Sequence, residues 1–129
     1  MAVTDNVSLK KKIELFNGLL LVAQSAAFFR EDKKLLKSLA SALKTQQKQC
    51  ANSVYPMTES DRSETLLLIS DLREIVYRLA RVRKVADFRV WSGRLDNFVK
   101  DVTSRLDVTA ASCAKDTSAD EVKKNGKNG

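Results

Sequence analysis

Histidine is absent from this sequence, proline occurs once, cysteine twice and glycine four times. Without histidine the chain lacks the commonest general base and the commonest metal ligand, so neither a Ser-His-Asp triad nor a Glu-x-x-His di-metal motif can be built. The glycines Gly18, Gly93, Gly126 and Gly129 are scattered, which leaves no glycine-rich phosphate loop and no dinucleotide-binding turn. Cys50 and Cys113 lie in opposite halves of the chain, too far apart in sequence for a zinc or redox pair; two thiols are expected, with one wide disulfide as the alternative. No apolar run approaches the roughly 18 residues of a membrane span, so no integral membrane segment is expected. The chain is predicted not to be an enzyme: no catalytic residue, metal ligand, cofactor or small-molecule substrate is expected.

What is abundant is charge and aliphatic periodicity. Lysine and arginine number 23 against 16 aspartates and glutamates, a formal net charge of +7, within 129 residues that are 43% hydrophobic and only 6% aromatic. That length bounds the chain at about one core, and the shortage of turn formers points to helix. Lys10, Lys11 and Lys12 precede an apolar stretch ending near Ala23-Gln24-Ser25, which loosely resembles a signal-peptidase site. Glu14, Asn17 and Gly18 interrupt the stretch, so an uncleaved amphipathic helix and a cytoplasmic location are expected, with secretion or an organelle lumen as the alternative.

Pro56 sits in a polar segment that divides the ordered chain nearly in half. In the first half Leu9, Ile13, Phe16, Leu20, Ala23 and Ala27 form one helical stripe, with Asn6 or Ser8 as N-cap; the phase then slips near 30–34, and Leu36, Leu39, Leu43 and Cys50 continue it. In the second half Asp61 or Ser60 caps a stripe of Leu66, Ile69, Leu72, Val76 and Leu79, with Glu64 as a box-like partner. A second slip near 83–87 precedes Phe88, Trp91, Leu95, Phe98, Val102 and Leu106. Neither slip contains proline or glycine, so each is a turn or a kink, and four helices are favoured over a long two-helix hairpin. The predicted fold is an all-α, single-domain, antiparallel up-and-down four-helix bundle over 1–111, with helices at about 8–29, 34–51, 60–83 and 87–110 and a flexible tail at 112–129.

Two features suggest binding. In that topology the first and third turns share a pole, bringing together the anion-binding candidates Arg30, Lys33, Lys34 and Lys37 with Arg78, Arg81, Arg83, Lys84 and Arg89. The carboxylates among them are Glu31, Asp32 and Asp87. Arginine binds phosphate and carboxylate through two parallel hydrogen bonds, which favours an anionic partner, whereas Phe88 and Trp91 continue a core stripe and are read as packed rather than base-stacking. The second feature is apolar excess around the first and third helices, which makes Leu21, Phe28, Leu67 and Leu68 protein-interface candidates. The function expected is therefore a protein-interaction or assembly subunit with a protein partner or self-association. The alternative is a nucleic-acid or other polyanion binder that uses the basic pole.

Overall fold

The computed structural model describes residues 2–52 and 55–128, with side chains for 6–52 and 55–113. It consists of four helices, α1 (Ala2–Phe28), α2 (Lys33–Ala51), α3 (Glu59–Arg81) and α4 (Val85–Asn128), and the described residues include no strand. Both phase slips are turns between helices. Among the described residues, no helix is long and apolar enough to cross a membrane.

The starts of the helices differ from expectation for identifiable reasons. α1 begins before Asn6 and Ser8, so neither caps it; Ser8 is instead fully buried and serves another helix. α2 is capped by Asp32, whose Oδ1 accepts from the Leu35 amide at 3.1 Å. α3 is capped by Thr58, not by Ser60 or Asp61: Thr58 Oγ1 accepts from the Asp61 amide at 3.2 Å, which places Glu59 and Asp61 in a first turn that favours negative charge. The expected tail at 112–129 lies, from 114 onward, outside the described side chains. Just before it, the half-buried Cys113 thiol donates to Asn6 Oδ1 at 3.7 Å.

Packing is most extensive between α2 and α3, then between α1 and α4. α1 and α3 also touch, α1 and α2 barely do, and among the described residues α2 and α4 share no contact. One continuous core results, in which Leu36, Leu43 and Cys50 of α2 recur every two turns against Leu68, Ile69, Leu72, Ile75, Val76 and Leu79 of α3. No disulfide joins Cys50 to Cys113; burial of Cys50 raises its thiol pKa, a shift only partly opposed by the Arg62 charge nearby.

α1 is rotated relative to its expected stripe. Leu19 and Ala26 are fully buried where Leu20 and Ala27 were expected, while Phe16 and Ala23 belong to both lines. Because apolar residues flank the stripe on both sides in α1, periodicity alone could not fix its phase, and contact with two other helices did. Cleavage near Ala23 would strip Leu15, Phe16 and Leu19 from the core. Leu68 also requires correction: at 3% exposure it is a core residue and offers no outward surface.

The α4 stripe matches expectation at Leu95, Phe98, Val102 and Leu106, all buried. Phe98→Ala should cost about 3–5 kcal/mol, a large fraction of the stability of a domain this size. Thermal unfolding followed by circular dichroism checks it: the midpoint should fall by many degrees, and a midpoint matching wild type would refute the assigned packing.

Candidate functional site

The two ends of the molecule are electrostatically unlike. At one end the first two turns of α3 bind the other three helices. The Ser8 hydroxyl of α1 accepts from the Thr58 amide at 2.9 Å and donates to Asp61 Oδ2, so α1 supplies a hydrogen-bond partner that the capping residue's own helix does not. Lys12 Nζ lies 3.3 Å from Asp61 Oδ1 and 2.7 Å from Glu64 Oε1. On the α4 side, Arg105 reaches Glu64 Oε2 at 2.6 Å and Asp101 at 3.1 Å.

Arg62, only 7% exposed, turns the other way, toward α2. Its Nη1 donates to the Cys50 carbonyl at 3.0 Å, and its Nη2 to those of Tyr55 and Met57 at 3.1 and 3.2 Å. It thus donates to a carbonyl at the end of α2 and to two in the following connection, tying that connection to α3. Sequence reasoning missed Arg62, because an arginine in a polar first turn looks like an ordinary solvated charge. Burial pushes the Glu64 carboxyl upward, but hydrogen bonds from Lys12 and Arg105 outweigh it and hold the group below its usual value. The bond to Glu64 in turn raises Arg105.

At the opposite pole the α1–α2 and α3–α4 turns meet. Lys33 Nζ donates to the Val82 carbonyl, and Arg30 donates to Ala27 O at 2.8 Å, to the Ser92 hydroxyl and to Asp96 Oδ1 at 3.2 Å. Between the turns lies a cleft of about 720 Å³. Leu79, Val82, Val85 and Phe88 give it an apolar lining, Arg30, Lys33, Arg83, Lys84 and Arg89 the cationic part, and Glu31 the only carboxylate. Arg30 and Lys33 are committed to bracing the turns. Arg83, Lys84 and Arg89 are exposed and make no side-chain hydrogen bond or ion pair among the described residues.

Five of the nine anion-binding candidates therefore line one cleft. Lys37 and Arg81 line a separate groove between α2 and α3, and Lys34 is exposed on α2 outside both. Arg78 faces α4, 5.7 Å from the Trp91 ring, which Arg94 also approaches at 4.5 Å. Trp91 and Phe88 are half-buried, as packed residues would be. Of the interface candidates, Leu21, Phe28 and Leu67 are 65%, 81% and 68% exposed, and Phe28 lines a shallow groove against Val99 and Lys100 of α4. Sequence reasoning missed the cleft's valines; the signal was present in Arg81-Val82-Arg83-Lys84-Val85, where aliphatic residues that belong to no stripe alternate with cations.

Compared with known protein families, curated proteins and solved structures, the chain finds no match.

The Glu64 network predicts an acid limb of stability. A carboxyl held below its unfolded value stabilises the fold fully above that value, near 4.5, and loses the contribution as pH falls through the folded value. Urea midpoints should therefore drop from neutral pH toward pH about 3. Glu64→Gln should cost about 1–3 kcal/mol at neutral pH, from the loss of charge-assisted hydrogen bonds, and should flatten the drop. An unchanged acid limb in this variant would assign the pH dependence to other groups.

Proposed function

We propose that this chain is a non-enzymatic protein-interaction or assembly subunit, and that a protein partner seats on the cleft at its basic pole. The mixed lining of the cleft carries the reading. A purely electrostatic polyanion site has no use for an apolar floor, whereas a protein segment that bears carboxylates beside aliphatic side chains fits both the floor of Leu79, Val82, Val85 and Phe88 and the rim of Arg83, Lys84 and Arg89. The cleft, about 720 Å³, has room for a few side chains. Leu21, Phe28 and Leu67 give an assembly further apolar surface outside the cleft. The lack of histidine supports the non-enzymatic part of the reading.

The test uses a synthetic amphipathic helical peptide with glutamate on one face and leucine on the other, titrated into the labelled protein and followed by NMR. Shifts should concentrate at Val82, Val85 and Phe88, and binding should weaken with salt without vanishing, because burial of apolar surface is not screened. Val85→Asp and the triple change Arg83→Ala, Lys84→Ala, Arg89→Ala should each weaken it by about tenfold or more, the effect of losing roughly 1.4 kcal/mol or more. If salt abolishes binding and Val85→Asp has no effect, the pole binds polyanions as such and the protein reading fails.

A further inference from the structure

A second basic surface lies outside the cleft and shares no lining residue with it. Beyond Lys33, which belongs to the cleft, α2 carries Lys34, Lys37, Lys44 and Lys48, all exposed, and no aspartate or glutamate between Lys33 and Ala51. Lys33 with Lys37 and Lys44 with Lys48 stand four residues apart, and Lys34 with Lys37 three apart, positions at which helices gain from opposite charges and lose from like ones. A helix with five cations and no counter-charge is therefore poorly suited to solvent alone, and its charge is complementary to an anionic ligand.

The groove between α2 and α3 shows what kind of anion fits. It holds about 240 Å³, with Lys37, Ser41 and Lys44 on one wall, Arg73, Tyr77 and Arg81 on the other, Ala40 and Ala80 between them, and no carboxylate in its lining. Arg73 gives one hydrogen bond to Gln47 Oε1 at 2.9 Å, while Lys37 and Lys44 make none among the described residues. Between its cations the groove has only the small residues Ala40, Ser41 and Ala80, where the cleft has Leu79, Val82, Val85 and Phe88. Tyr77 is exposed at its edge, with the Arg81 guanidinium 4.6 Å from the ring centroid. A cationic groove bordered by an exposed aromatic is the combination that takes a phosphodiester backbone with a base stacked beside it.

We propose that the α2–α3 groove binds single-stranded nucleic acid, with backbone phosphates on Lys37, Lys44 and Arg73 and a base against Tyr77. The site stands independently of the protein-docking reading, and Val85→Asp in the cleft should leave it unchanged.

Fluorescence anisotropy of a labelled single-stranded oligonucleotide, measured with the full chain over a range of salt, tests the proposal. The double change Lys37→Ala, Lys44→Ala at two exposed positions should make the plot of log affinity against log salt shallower by about 1.4, near 0.7 for each lost phosphate contact. Adding Arg73→Ala should bring the decrease to about 2. Tyr77→Ala should weaken binding by about five- to a hundredfold with the slope unchanged, because stacking releases no counterion. Circular dichroism confirms that each variant is folded. Three results would overturn the proposal: no single-strand binding at low salt, a salt slope that the double change leaves intact, or displacement of the oligonucleotide by poly-glutamate at equal charge, which would make the groove a site for acidic protein. Duplex bound as tightly as single strand, with Tyr77→Ala silent, would overturn the single-strand assignment.

Discussion

The first two turns of α3 are where all four helices are joined. Asp61 takes Ser8 and Lys12 from α1, Glu64 takes Lys12 from α1 and Arg105 from α4, and Arg62 reaches carbonyls at the end of α2 and in the connection that follows. These groups lie within four consecutive positions, so the register of each neighbouring helix is set against one short piece of backbone. Ionic contacts of this kind add little to stability compared with an apolar core, but a misaligned helix would leave their charges unpaired, and that penalty is large. Apolar burial is non-directional, whereas the hydrogen bonds and ion pairs of the polar turn require particular partners at particular positions. Helices are stiff, so fixing one end also determines where the α1–α2 and α3–α4 turns meet at the other.

This arrangement divides the charge. Lys12, Arg62 and Arg105 have carboxylates or carbonyls as partners, and Arg30 and Lys33 are bound to α1, α4 and the end of α3. The excess that makes the chain +7 is carried in large part by cations with no such task, including Arg83, Lys84 and Arg89 at the cleft and Lys37 and Lys44 on α2. Crowded like charges repel, and nothing in the packing of the core needs them there. An apolar floor lies beneath the first group and a groove of small residues beside the second, so the surplus of charge is divided between two surfaces of different lining.

The sequence made some of this legible. Leu95 and Phe98 were readable as core because polar Asp96 and Asn97 separate them, and the two breaks in phase were readable as turns or kinks because the stripes on either side share no common line; the structure makes both of them turns. Where apolar residues run together the signal saturates: Leu66 to Ile69 are consecutive, and only contact with α2 decides that Leu68 and Ile69 point inward while Leu67 points out. The cap of α3 was ambiguous because Thr58, Ser60 and Asp61 are all capping types, and Thr58 serves with Ser8 of another helix bonded to its amide. The basic pole was legible from topology and charge, but its cleft was not. Val82 and Val85 become a floor only when the two turns are brought together in space.

The polar turn of α3 ties the helices together, and the cations around the cleft take no part in that. The most direct test of this division is the thermal midpoint of the variant with Arg83, Lys84 and Arg89 all changed to alanine, measured at low ionic strength, where repulsion between exposed charges is strongest. The midpoint should equal that of wild type or exceed it, because like charges are removed and no described side-chain bond is lost. A fall of about 4 °C or more, roughly 1 kcal/mol in a chain of this size, would show that these cations help to hold the structure and would contradict the division of roles between the two poles.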